Sequence, residues 1–279
     1  MTIGRHSIEE RAHGFRALHE GPGIFVIPNP WDIGTARILA GLGFKALATT
    51  SAGFAHSIGR RDGAVARDEA LRHARAIVEA TELPVSADLE NGFGHAPEAA
   101  AETIRMAAEV GLAGASIEDA TGDRAKPIYD LGLAVERIAA AVEAARKLAR
   151  PFVLTARAEN YLHGRPDLDD TLARLTAFEK AGADVLYAPG LRSLDDIATV
   201  CRSVARPVNV IMGLSGAPHS VADLERVGVR RVSVGSALSR AAFGAFLRAA
   251  REIKERGTFT FAQDVASFSD IESFFAEGQ

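Results

Sequence analysis

The sequence predicts a (β/α)8 barrel on three observations. Eight short runs of apolar and β-branched residues recur along the chain, Ala-rich amphipathic segments separate them, and polar residues gather where the runs end. A parallel sheet wrapped by helices accounts for all three. The length of 279 residues also admits two modest domains. With eight βα units and no linker of biased composition, we read one domain over 1–279, its last part (258–279) a Phe-rich tail.

The elements follow in order. A helix over Ile8–His19 closes the bottom of the barrel, and the first strand is Ile24–Pro28. Gly41-Leu-Gly43 comes after a helix and before a strand, so it reads as a helix C-cap rather than the phosphate loop of a doubly wound fold. The second and third strands are Ala46–Ser51 and Val85–Asp88. Pro97 starts a helix over Ala96–Gly111, because a missing N–H costs nothing in a first turn. Ala115–Glu118 is the fourth strand, and a helix over Leu131–Arg150 stops before Pro151. Phe152–Arg157 and Val185–Ala188 follow as strands, then a helix over Leu194–Val204 with Ser193 three residues before Asp196 as its cap. Val208–Met212, a second Ser cap at Ser220 and Val232–Gly235 complete the set.

Composition excludes several classes of function. The formal net charge of −4 gives no basic stripe for nucleic acid or an anionic membrane, and no apolar run is long enough to span a bilayer. With one cysteine, Cys201, there is neither an intramolecular disulfide nor a cysteine zinc cluster, and Cys201 itself reads as a packing residue. The opening residues lack the core of a signal peptide, so a cytoplasmic protein is expected. The 32 basic residues include only five lysines: Lys45, Lys126, Lys147, Lys180 and Lys254. Only Lys126 lies in a loop at the strand ends, so a Schiff-base mechanism is disfavoured against a metal-stabilised enolate.

In a (β/α)8 barrel the chemistry sits at the C-terminal strand ends. There the sequence places Asn29 and Asp32, Thr49 to Gly53, Asp88 to His95, Glu118-Asp119 and Arg157 to Asn160. Asp88, Glu90 and Glu118 converge from neighbouring strands, and three like charges without compensation are costly. A hard cation such as Mg2+, held by one or two carboxylates and water, removes that cost. Helix caps or arginine partners are the plainer alternative for each acid taken singly. Ser51, Ala52 and Gly53 suit an anion, or are simply turn material. Arg157 needs an anionic partner, either a substrate or Glu118 and Glu159.

Together these residues give the chain a resemblance to the isocitrate lyase/phosphoenolpyruvate mutase superfamily. It runs from Phe25-Val-Ile-Pro-Asn-Pro-Trp-Asp32 to Ser233-Val-Gly-Ser236. Its most specific stretch is Asp88-Leu-Glu90-Asn-Gly92-Phe-Gly94, a form of that family's Asp-x-Asp-x-Gly-Tyr-Gly motif, followed by Ile117-Glu118-Asp119 and Ala156-Arg157. The resemblance implies a barrel whose eighth helix is exchanged between subunits, hence a homodimer or homotetramer. It also implies Mg2+, with Mn2+ as the alternative, held by Asp88 with Glu90 and Glu118 acting through water. An oxyacid substrate would then lie on Ser51, Ala52, Gly53, Asp88 and Arg157, with Asp62 the acid of the loop after the second strand.

One departure matters. Lyases of this family carry a Lys-x-Cys-Gly-His loop after the fourth strand, whereas this chain reads Asp119-Ala-Thr-Gly-Asp-Arg-Ala-Lys126-Pro-Ile-Tyr-Asp130. The expected activity is therefore Mg2+-dependent cleavage of a small 2-oxo or 2-hydroxy dicarboxylate such as oxaloacetate, with Asp62, Lys126 and Arg157 as catalytic groups. Tyr129, Tyr161, His163 and His219 are further candidates for proton transfer. The alternatives are C–P chemistry, as a phosphonomutase or phosphonopyruvate hydrolase, and a non-catalytic oxyacid binder. Five of the 14 Phe fall in the last 21 residues, which suits packing on the barrel or on a partner subunit.

Overall fold

The computed structural model describes residues 6–214 and 219–275. The chain runs α1 (Ile8–Glu20), β1 (Phe25–Ile27), α2 (Ile33–Gly41), β2 (Leu47–Ala48), α3 (Ser51–Ser57), α4 (Arg67–Ala80), β3 (Val85–Asp88) and α5 (Pro97–Glu109). It continues through β4 (Gly114–Glu118), α6 (Leu131–Arg146), β5 (Val153–Arg157), α7 (Leu168–Lys180), β6 (Val185–Tyr187) and α8 (Leu194–Ser203). The last elements are β7 (Val208–Ile211), α9 (Val221–Arg226), β8 (Arg231–Ser233), α10 (Ala237–Arg256) and α11 (Phe268–Glu272). All eight strands pair in parallel in the order β1-β8-β7-β6-β5-β4-β3-β2. Between β1 and β2 the ring is drawn shut by Ala48 N–H donating to Pro28 O at 3.0 Å and Asn29 Nδ2 to Thr49 O at 2.9 Å. The expected (β/α)8 barrel is the observed fold.

Two apolar cores divide the burial. The larger lies between helices and sheet, from Leu39 and Leu47 round to Val229 and Val232. The smaller fills the bottom of the barrel with Phe25, Ile27, Ala46, Val153 and Val185, sealed by Ala12 and Phe15 of α1. The N-terminal helix is therefore the expected plug, held at its start by a reciprocal Ser7–Glu10 capping box. Among the described residues no helix is long and apolar enough to cross a membrane.

Some boundaries differ from expectation. The strand expected over Ala46–Ser51 is only Leu47–Ala48, because Thr50 Oγ1 accepts from Gly53 N–H and starts α3. Seven residues are too few to give a helical period, so α3 was not legible. The helix expected to reach Arg150 stops at Arg146.

α10 is sparsely covered for its length. Of its twenty residues only Ser239 is buried, while Leu238, Phe246, Leu247 and Ile253 face outward. The turn after it is tied down by Glu252, whose carboxylate accepts from Thr258 Oγ1, from Thr260 N and Oγ1, and from Phe261 N. The end of the tail lies against this chain's own α2. A methyl built on Gly41 would stand 2.5 Å from the Phe274 ring, and one on Gly34 3.8 Å from Phe275. Phe268, in contrast, is 85% exposed, and residues 276–279 of the expected tail lie outside the described residues.

Candidate active site

The C-terminal strand ends surround a cavity of about 170 Å3. Asn29, Thr49, Ser51, Ala52 and Asp62 line one side, Asp88 and Arg157 another, and Tyr187, Asn209, Arg231 and Ser233 the floor. Strand alternation explains the choice: Ile27 and Asn29, Ser86 and Asp88, Asn209 and Ile211, Arg231 and Ser233 are lining pairs two residues apart on one face.

Arg157 is the hub. Its Nη1 donates to Asp88 Oδ1 at 2.9 Å, its Nε to Glu159 Oε1 at 2.9 Å, and its Nη2 lies 3.1 Å from Glu118 Oε2. The guanidinium also lies 5.1 Å over the Tyr187 ring. Of the two partners weighed for Arg157, the protein supplies its own carboxylates. Asp88 is shared, since its Oδ2 accepts from Ser51 Oγ at 3.1 Å.

Three carboxylates on one guanidinium leave negative charge in excess. Burial pushes the Glu118 carboxyl well above its ordinary range, against the pull of Arg157. Glu90 is pushed up to about 7 by burial first, then by the charges of Asp88 and Asp62. Asp119, behind the ring, rises to about 6 through burial although Arg174 Nη1 and the Glu159 N–H both bind it.

The loop carrying Glu90 is strained. Glu90 and Phe93 both have positive φ, 49° and 57°, which non-glycine residues seldom adopt. Gly92, at φ 78°, has no room for a side chain, because a Cβ would come within 3.0 Å of Ala100 Cα. Arg137 of α6 holds this loop from beneath. It donates to Gly94 O at 2.7 Å and Ala96 O at 3.3 Å, and also to the carbonyls of Asn91 and His95. Its guanidinium lies 4.5 Å over the Tyr129 ring, whose hydroxyl bonds His95 Nδ1 at 2.7 Å. Sequence reasoning missed Arg137; a fully buried arginine in the middle of an Ala-rich helix was its only signal.

Most of the expected site residues meet in this region. Ser51, Ala52, Asp62, Asp88 and Arg157 line the cavity, Glu118 pairs with Arg157, and Glu90 stands with Asp62 on an adjoining groove. Gly53 does not join them. Its N–H is taken by Thr50 Oγ1, and its missing side chain makes room for Thr50, Trp31 and Ser239.

Lys126 does not reach the site either. The loop after β4 folds back as a tight hairpin, with Thr121 N bonded to Pro127 O at 2.8 Å and Tyr129 N to Asp119 O at 2.9 Å. This turns Lys126 outward, where it pairs with Asp130 at 2.8 Å. His163 is exposed, Tyr161 packs beside Gly190, and His219 bonds Arg192 O at 2.8 Å; none of them lines the cavity. Cys201 is a packing residue against Gly228, its thiol pushed up to about 11 by burial.

The donor set fits a hard divalent cation. All its atoms are oxygens, and its acids carry more negative charge than Arg157 offsets. Among the described residues no three His, Cys, Asp or Glu side chains stand together as a ready cage. Mg2+ does not need one, since it keeps most of its water and takes one or two carboxylates. Asp88 meets that requirement directly, with Glu90 and Glu118 in reach through water.

Fold and site together are those of a (β/α)8 barrel with an oxygen-rich, anionic mouth at the C-terminal strand ends. The family model for phosphoenolpyruvate phosphomutase matches residues 15–254, and the chain belongs to this isocitrate lyase/phosphoenolpyruvate mutase superfamily. A crystal structure of a lyase/mutase candidate from Burkholderia cenocepacia J2315 superposes with a TM-score of 0.94 at 61% identity, covering 96% of each chain. An uncharacterized protein of Mycobacterium tuberculosis is 33% identical over 245 residues, 86% of this chain and 89% of the relative. More distant are 2-methylisocitrate lyase of Bacillus subtilis, 28% identical (90% and 84% covered), and oxaloacetate decarboxylase of Pseudomonas fluorescens, 25% identical (95% and 91% covered).

Proposed function

We propose that the protein is a Mg2+-dependent carbon–carbon lyase acting on a small 2-oxo or 2-hydroxy dicarboxylate, of which oxaloacetate is the simplest. The observation that carries this reading is the sharing of Asp88 between Ser51 and Arg157 on the cavity wall, with Glu118 and Glu90 alongside and short of counter-charge. When bound there, Mg2+ supplies a Lewis acid that polarises a 2-oxo acid; Mn2+ offers the same oxygen chemistry. The rest falls to the protein. Arg157 fixes the direction of Asp88 and Glu118, and Ser51 and Ala52 orient a substrate oxygen. In a 2-oxo dicarboxylate the C3–C4 bond breaks, its electron pair passing into the enolate as C4 leaves as CO2. In a 2-hydroxy dicarboxylate the C2–C3 bond breaks as the hydroxyl gives up its proton to a neighbouring carboxylate, leaving the 2-oxo acid and the electron pair on C3. Asp62, exposed on the cavity rim, is the group placed to return a proton to C3.

The test is turnover of oxaloacetate and 2-alkylmalates with and without Mg2+. Metal-dependent release of a shorter carboxylic acid from at least one of them is expected, and absence of turnover of every such acid overturns the reading. C–P chemistry is kept as a second reading because the matched family model is that of a phosphomutase. A 31P spectrum of a phosphonopyruvate reaction separates the two.

We also propose that the chain works as a homodimer or homotetramer, with the outward apolar face of α10 covered by a second copy. The particle mass in solution is expected to be at least twice 29.5 kDa. A monomer at micromolar concentration contradicts this.

A further inference from the structure

Arg231 of β8 is a buried cation of a different kind from Arg157. Its Nε donates to Asn209 Oδ1 at 2.8 Å, its Nη2 to Thr155 Oγ1 at 3.0 Å, and its Nη1 meets His19 Nε2 at 3.2 Å. His19 Nδ1 lies 2.8 Å from Phe15 O, which fixes the proton on Nδ1 and leaves Nε2 to accept. Burial also holds His19 down to about 3, so it is neutral throughout the working range. All three partners are neutral, and among the described residues Arg231 makes no ion pair. It is nonetheless only 5% exposed, and it forms part of the cavity floor.

A guanidinium carries five N–H groups, and three are used here, one on each nitrogen. The remaining two, one on each terminal nitrogen, suit the two oxygens of a carboxylate. The depth is suitable as well. Thr155 precedes Arg157 by two residues on β5, which at ~3.3 Å per residue puts the Arg231 layer about 6–7 Å below the acid cluster.

We propose that Arg231 is a second anion subsite of this cavity, taking a substrate carboxylate that survives the reaction. The proposal rests on the oxyacid reading of the cavity and narrows it. With the 2-oxo or 2-hydroxy end of the substrate at Asp88, the carboxylate at Arg231 is the remote one, the group that decarboxylation would turn into neutral CO2. A fixed cation there binds the ground state better than the transition state and slows that step. Cleavage of C2–C3 in a 2-hydroxy dicarboxylate, in which the hydroxyl gives up its proton to leave a 2-oxo acid and C3 keeps the electron pair and takes a proton, leaves both carboxylates intact and suffers no such penalty. The substrate class is thus a dianion split into two acids, not a β-oxo acid that loses CO2.

The test compares succinate with propionate, which lacks one carboxylate, by calorimetric titration in the presence of Mg2+. The wild-type protein is expected to prefer succinate by about ten- to hundredfold. Arg231→Met is expected to erase that preference. Equal binding of the two acids by the wild type, binding of neither, or a preference that survives in Arg231→Met overturns the proposal.

Should that variant fail to fold, a crystal of the wild type with succinate decides, since a carboxylate seated away from Arg231 overturns it equally. CO2 as the main product from oxaloacetate also overturns it. If none of the dicarboxylates is turned over but the succinate preference depends on Arg231, the lyase reading fails and the subsite stands. If turnover leaves both carboxylates intact and the preference ignores Arg231, the subsite fails and the lyase reading stands.

Discussion

Replacing Arg157 by Met is expected to destabilise the fold by about 3–5 kcal/mol, the usual cost of removing one partner from a buried ionic cluster, and to abolish turnover. Asp88, Glu118 and Glu159 then face one another without the guanidinium that now touches all three. Glu118 is already held well above its ordinary range by burial, so losing Arg157 raises it further. A carboxyl raised in the folded state contributes stability at low pH and loses it as pH climbs. The deficit of the variant is accordingly largest near pH 8 and smaller near pH 5. Urea titrations at the two pH values check this, and a variant equally stable at both contradicts it. Arg157→Lys is expected to recover part of the stability and none of the activity, since an ammonium cannot present a planar fork to three carboxylates.

Asp88→Ala is expected to lower metal-dependent activity by about a thousandfold, the several kcal/mol that a bound cation supplies at 1.36 kcal/mol per decade. It should also erase any rise in melting temperature on adding Mg2+. In the wild type that rise depends on pH. Glu90, pushed up to about 7, holds in the folded state a proton that the unfolded chain releases near 4.5. Stability of the metal-free protein therefore declines from about pH 4.5 to 7, and a cation that displaces the proton protects more above pH 7 than below it. Glu90→Gln is expected to flatten the metal-free slope. Melting curves across pH 5–8, with and without Mg2+, test all three statements, and an Mg2+ response retained in Asp88→Ala would place the cation elsewhere.

Much of the barrel was legible because strand and helix periods differ so plainly along this chain. Val85–Asp88 was placed to the residue, and the proximity of Asp88, Glu118 and Arg157 was legible because they end consecutive strands, with Glu90 two residues beyond the first. What escaped was the interior. Asn209 and Thr155 alternate with apolar neighbours as surface residues would, Arg231 follows another arginine, Arg230, and nothing local shows that all three face inward. Arg231 meets His19 across 212 positions, a distance no window of sequence covers. Lys126 was misplaced for the converse reason. Its loop has the right position in the chain order, but a hairpin closed by Thr121 and Tyr129 turns the side chain away.

The seam of the ring concentrates in one side chain. Asn29 donates to Thr49 O beside β2, and its Oδ1 accepts from Val234 N and Gly235 N beyond β8 at 2.9 and 2.8 Å. The last of these bonds joins groups 206 positions apart. On a ribosome adding ~5–20 residues per second, Asn29 emerges about 10–40 s before its partners. For that interval the nascent chain holds an incomplete sheet with an unpaired β1 edge. Closure of the barrel is thus a late, high-contact-order event, and a newly made chain depends on protection of that edge until its final quarter arrives.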